Sequence, residues 1–371
     1  MSIRIKTFDL SVLIIPLILL AGGLAVIYSL VVANGGDNLA LKQGVIGLIG
    51  LFIAGAITFI DYRIFKGISW IFYLISILLL LLVGVGGKVV NGASNWLDFK
   101  FFQLQPSELA KVFLILLMAS FLGSRIGRLR WKDIIWSVVF LIIPLGLVLS
   151  EPDLGTGLVI IAIYIALLIS AKPSKGQYAV IITVLATVIT LAALAYANVK
   201  PFGHLIHEYQ RQRIAVFLNP QLDPYGRGYN VKQAQITIGS GGYFGQGLGR
   251  GSQSQLQFLP EPYSDFIYAG IVESFGFVGG LTILALFAIF IFRLLEIAKA
   301  ARDNFGYLIV IGLTMMFIAQ VVINIGMNLG VFPVAGIPLP FVSYGGTSLL
   351  VSFFSIGLLE SIYIRHEKIS F

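Results

Sequence analysis

Asp265 is a carboxylate placed where a membrane helix begins and a substrate could be held. It closes the stretch Leu259-Pro260-Glu261-Pro262-Tyr263-Ser264-Asp265, where the longest polar segment meets an apolar run. Pro260 and Pro262 bias the residues before them away from helix. Ser264 is suited to an N-cap, which puts Asp265 in the first turn of the helix that follows. The helix dipole favours a carboxylate there, and it would meet a substrate held at that face. Capping alone is the competing reading.

Three other constellations stand out. In Gln105-Pro106-Ser107-Glu108-Leu109-Ala110-Lys111, Glu108 and Lys111 are three apart and share a helix face. A lysine one turn into an apolar segment is costly and marks a pocket by default. Near the outer face it would suit a pyrophosphate, unless it pairs with Glu108 or snorkels. Glu151-Pro152-Asp153-Leu154-Gly155-Thr156-Gly157 sets Asp153 at another helix start, as a cap or as part of a polar cavity. Arg211 and Arg213 precede a glycine-rich run from Gly239 to Gly251. They would hold an anionic lipid-linked substrate or meet lipid headgroups. The run is not a Walker A motif and follows no strand, so a nucleotide site is poorly supported. His204, His207 and Glu208 make a weak metal pattern, and an ordinary loop is the reading preferred.

These residues need a scaffold, and composition names its class. Of 371 residues, 58% are hydrophobic and 11% charged, against about 25% charged in a soluble domain. The chain therefore reads as an all-α polytopic membrane protein. It has no Cys, which excludes disulfides and thiolate chemistry. The net charge of +8 belongs to cytoplasmic loops and not to nucleic-acid binding.

Spans of about 20 apolar residues fall near 8–33, 44–60, 69–86, 107–123, 134–150, 154–171, 177–196, 265–293, 306–329 and 345–364. The first is read as a retained span rather than a signal peptide. The fifth and sixth are short and could form a broken pair that does not fully cross. Every second connection is basic, from Arg4 and Lys6 to Arg365 and Lys368. The positive-inside rule then places both termini in the cytoplasm. The 34–43, 87–106, 151–153, 197–264 and 330–344 connections face outward, with 197–264 as the large loop between the seventh and eighth helices. All the constellations above lie on that outer side. So does Asn324 to Ser348, whose prolines and glycines suggest a re-entrant wall of a site.

The run Asn324…Pro333-x-x-Gly336-x-Pro338-Leu339-Pro340-Phe341-x-Ser343-x-Gly345-Gly346-x-Ser348 resembles the signature of the SEDS family, and the short tails with Gly251-Ser252-Gln253-Ser254-Gln255-Leu256 look most like its RodA branch. Gln105 to Lys111, Pro152 to Thr156, Tyr209 to Ile214, and Leu259 to Ile267 match as well, so the resemblance covers nearly the whole chain as a single domain. It implies a peptidoglycan glycosyltransferase in the bacterial cytoplasmic (inner) membrane. Such an enzyme polymerises lipid II during cell elongation, with a class B penicillin-binding protein and other elongation-complex membrane proteins as partners. Asp265 corresponds to the family's essential aspartate and is the candidate base. Lys111, Glu108, Asp153, Arg211, Arg213, Glu261 and Ser343 are carried over as the substrate-binding set. A divalent cation (Mg or Mn) could share the pyrophosphate's charge, with Asp265, Glu108 or Asp153 as ligands. There are departures: Tyr263-Ser264-Asp265 replaces the usual His-Thr-Asp, Pro262 the usual Arg, Ser274-Phe275 follows Glu273 where a second Glu is usual, and Asn95 stands for a usual basic residue before Trp96. The rival readings are a lipid II flippase, which shares the broken helices but needs access from both faces, and a non-catalytic scaffold.

Overall fold

A computed structural model of the chain describes residues 8–32, 39–90, 93–98, 103–196, 208–256, 258–259 and 262–366. Helices occupy all ten expected span positions: α1 Leu10–Val32, α2 Leu39–Phe59, α3 Ile64–Gly86, α4 Pro106–Gly123, α5 Trp131–Ser150, α6 Leu154–Ser170, α7 Lys175–Tyr196, α11 Ile267–Ala300, α12 Asn304–Asn328 and α13 Gly346–Ile364. Among the described residues, eight of these are long and apolar enough to cross a membrane. The α6 helix has only 17 residues, about 26 Å against a hydrocarbon core of about 30 Å. The inner ends of α5 and α6 still meet their neighbours, because Gly127 N–H donates to Ala171 O at 3.0 Å. Both helices therefore run between the same two faces.

Two features differ from the sequence reading. The 87–106 connection holds a small antiparallel sheet, β1 Lys88–Val90, β2 Ala93–Asp98 and β3 Gln103–Leu104, in the order β1-β2-β3. Strands of two to six residues carry too little alternation to register as a pattern. The 197–264 loop contains three helices: α8 Glu208–Leu218, α9 Arg227–Ser240 and the short α10 Ser252–Gln255. They are polar, so a search for apolar runs passes over them. The α9 helix nonetheless buries Gly228, Val231, Ala234 and Thr237, a three-residue spacing that keeps one face inward.

The connections sort into two sets. On one face, Tyr62 Oη donates to Asp303 at 2.7 Å, Asn304 donates to Gly123 O at 3.0 Å, and Arg365 donates to Phe59 O at 2.9 Å. This is the basic face, and the positive-inside rule makes it cytoplasmic. On the other, Gln43 reaches Ser343 O at 2.9 Å, and Thr347 Oγ1 accepts from Gln105 N–H at 3.1 Å. The helices α4, α12 and α13 form the buried centre of the bundle.

Candidate functional site

Asp265 lies in a turn immediately before α11, not in its first turn. The N-cap is Phe266, which makes no side-chain capping bond. Ser264 is therefore not the cap either. The amide of Ala269, third in the helix, is instead satisfied by Asn328 Oδ1 of α12 at 3.1 Å. The turn is held from several sides. Asp265 O accepts from Asn324 Nδ2 at 3.0 Å and from Asn328 Nδ2 at 3.1 Å. Ser343 Oγ donates to Ser264 O at 2.6 Å, and Tyr344 N–H donates to Tyr263 O at 2.8 Å. Gln43 fixes the far side of Ser343 and accepts from Gly345 N–H at 3.3 Å.

The 330–345 segment is the expected re-entrant wall. Ile337, Leu339, Phe341 and Val342 are buried. Phe341 inserts among Phe290, Phe317 and Phe353, with ring centroids 5.6 to 6.0 Å apart. Such irregular backbone is tolerated at membrane depth because protein surrounds it.

The helix carrying the Asp265 turn is broken. Gly276 has φ +71° within α11, so only the short piece 267–275 stands between the break and Asp265. The glycine-rich run completes the backbone bonding at the break. Gln246 and Gly247 N–H donate to Glu273 O and Ser274 O at 2.8 and 3.0 Å, while Phe277 and Val278 N–H donate to Gly242 O and Tyr243 O at 2.9 and 3.2 Å. A Cβ on Gly276 would lie 2.4 Å from Tyr243 O. The Glu273 carboxylate, buried at 1% exposure, accepts from Gln253 N–H at 2.7 Å and from Ser254. The run's glycines thus serve this interlock, the orphan groups of two half-helices being met by one loop.

The second cluster sits at the starts of α4 and α6. Lys111 Nζ donates to Glu108 at 2.7 Å, with side-chain exposures of 1% and 2%. The pairing alternative for Lys111 is the arrangement found, and the pair is neutral as a unit. Asp153 caps α6, accepting from Thr156 N–H at 2.9 Å, and lies within electrostatic reach of both Lys111 and Glu108. Burial raises the Asp153 pKa against the lowering effect of Thr156 and Lys111. Glu151 is 2% exposed, and neither carboxylate oxygen has a partner among the described residues. Burial, and next the Asp153 charge, push its carboxyl up to about 8. Arg213 Nη2 donates to Pro152 O at 3.5 Å. It also lines a pocket with Phe217, Arg227, Val231, Gln235 and Pro333. Arg211 is half-buried on α8.

Residues 335–337 join the two clusters. A Cβ on Gly155, two residues after Asp153, would lie 2.4 Å from Ala335 O, so glycine is what permits this contact. On the other side, Asp265 Oδ2 lies 3.7 Å from the Cβ position of Gly336, and Asn324 Nδ2 donates to Ile337 O at 2.7 Å. The 335–337 stretch thus packs on Gly155, two residues after Asp153, and also lies beside Asp265. Glu261, His204 and His207 lie outside the described residues. Among those described, no group of three or more acidic or histidine side chains could hold a metal ion. The sequence reading missed Asn328 and Gln43, and named Glu273 only within a family motif without a role. Asn324 and Asn328 are i,i+4 amides in an apolar helix, which is the signal that could have found the pair.

The family model for the FtsW, RodA and SpoVE proteins, described as "Cell cycle protein", matches residues 8–368. The chain belongs to this family. It is 36% identical over 364 residues to the peptidoglycan glycosyltransferase MrdB of Escherichia coli K12, covering 98% of this chain and 95% of that protein. It is 32% identical over 431 residues to the peptidoglycan glycosyltransferase RodA of Treponema pallidum, covering 98% and 100%. Among solved structures it is similar to a chain of a peptidoglycan synthase complex that coordinates polymerization and crosslinking, with TM-score 0.81, 29% identity and coverage of 97% and 98%. The Thermus thermophilus rod-shape-determining protein RodA matches at TM-score 0.70, 26% identity and coverage of 97% and 98%.

Proposed function

We infer that this FtsW/RodA/SpoVE-family protein is a peptidoglycan glycosyltransferase of the RodA type. It is a multi-pass protein of the bacterial inner membrane and polymerises lipid II at the outer face during cell elongation. The observation that supports the reading is that one stretch, 335–337, lies beside Asp265 and packs on Gly155, two residues after Asp153.

An inverting displacement needs a base on one side of the reacting carbon and charge stabilisation on the other. In this reading the acceptor's 4-hydroxyl attacks the donor's anomeric carbon. A C–O bond forms there, and the bond to the pyrophosphate oxygen breaks, the leaving group keeping the electron pair. Asp265 takes the hydroxyl proton, a role typically contributing about 10²–10⁴-fold. Lys111, Arg211 and Arg213 meet the departing pyrophosphate, as charge developing in a water-poor site requires. Glu108 holds Lys111 Nζ at 2.7 Å, and Asp153 lies within electrostatic reach of both. Glu261 and Ser343 complete the proposed substrate set, with Ser343 acting through the Ser264 carbonyl.

A divalent cation, Mg or Mn, fits only as an ion brought largely by the substrate's phosphates, because no three protein ligands converge among the described residues. Asp153, Glu108 or Asp265 would supply its protein carboxylate ligand, and the ion would supply charge neutralisation. The partner in this reading is a class B penicillin-binding protein within the elongation complex, supported by the likeness to a synthase-complex chain.

The test is labelled lipid II given to the purified chain with a class B penicillin-binding protein. Glycan polymer is the expected product. Transfer of lipid II across vesicles without polymer would contradict the reading and favour a flippase.

A further inference from the structure

We propose that Asn324 and Asn328 are positioning residues for Asp265, a role that rests on the reading of Asp265 as the base. Both are buried, one turn apart on α12. Both side-chain amides converge on one acceptor, the Asp265 carbonyl, at 3.0 and 3.1 Å. Each amide also makes a second bond that fixes it. Asn324 donates to Ile337 O at 2.7 Å, and Asn328 donates to Asn324 O at 2.8 Å. Asn328 Oδ1 accepts from Ala269 N–H at 3.1 Å. One helix therefore fixes Asp265, the helix start behind it and the 337 backbone in front of it.

The arrangement is dear in stability terms. Asn324 Oδ1 is buried without a partner among the described residues, and an unsatisfied buried acceptor costs about 1–3 kcal/mol. An apolar side chain would avoid that. A helix that needed only packing has no use for two amides aimed at one carbonyl. A base, by contrast, must sit within hydrogen-bond reach of the hydroxyl it deprotonates.

The test compares Asn324→Asp, Asn328→Asp and Asp265→Asn in lipid II polymerisation, with melting temperatures measured alongside. Each substitution removes an Nδ2 that donates two hydrogen bonds, and Asn328→Asp keeps the oxygen that accepts from Ala269. The expected result is a kcat drop of about a hundredfold in each, with KM unchanged, as for a misplaced reacting group. Wild-type kcat in both overturns the inference while Asp265→Asn, if inactive, leaves the base intact. A rise in KM with kcat unchanged also overturns it, because the residues then act on binding. Loss of the folded state in both makes them a structural clamp and overturns it equally. Full activity of Asp265→Asn removes the base itself, and with it the reading beneath this one.

Discussion

The two faces of this bundle use charge differently. At the cytoplasmic face each ion pair keeps an arginine partly in solvent: Arg63 and Asp303 pair at 3.2 Å with side-chain exposures of 42% and 35%, and the buried Asp9 and Asp133 pair with Arg293 and Arg125, each 35% exposed. Such pairs contribute little, and the basic loops there set orientation. At the outer face, charged and amide groups are buried. Lys111 and Glu108 are sealed from solvent, Glu151 has no partner among the described residues, and Asn324 and Asn328 sit inside α12. Burying such groups is unfavourable unless something requires them.

Substitutions on each face sharpen that contrast. The largest effect is expected at the buried pair. Lys111→Met leaves Glu108 uncompensated and should destabilise by about 3–5 kcal/mol, read as a lowered melting temperature. Adding Glu108→Gln should restore much of the stability and none of the polymerisation. Recovery of activity by the double variant would remove Lys111 from the site.

Gly276→Ala comes next. It puts a side chain at φ +71° and 2.4 Å from a carbonyl, so a loss of at least about 1–3 kcal/mol is expected, with the interlock at 242–247 opened. Faster hydrogen exchange at Phe277 and Val278 checks it.

Glu151 gives a pH test. Its carboxyl ionises at about 8 in the folded chain against 4.5 ordinarily. Between these values the folded state binds the extra proton, so stability is full below 4.5, falls as pH rises, and levels off above about 8. Melting temperatures across that range should show the decline in the wild type and less of it in Glu151→Gln. The smallest effect belongs to the inner face: Arg63→Ala should shift stability by about 0–1 kcal/mol and leave polymerisation unchanged. A large loss there would break the comparison.

Much of this was legible in the residues. Ten apolar runs announced ten helices, and prolines and glycines in 324–348 announced the re-entrant wall. The clustering of Glu108, Lys111 and Asp153 followed from their shared face. What escaped was set by tertiary contact. The Asp265 turn stands outside its helix because Asn328 caps that helix from a different element, which no local pattern encodes. The glycine-rich run offered no nucleotide motif, and nothing local in it points to its partner, the break at Gly276, some thirty residues on. The helices α8 and α9 are polar, and their buried faces are too narrow to register as hydrophobic runs.

The central claim is that Asp265 does the proton transfer. The most direct test is the polymerisation rate of Asp265→Asn, purified with its penicillin-binding partner and shown to melt at the wild-type temperature. No glycan chains from this folded variant is the predicted result. Chains at the wild-type rate would make Asp265 a structural residue of the turn and contradict the account.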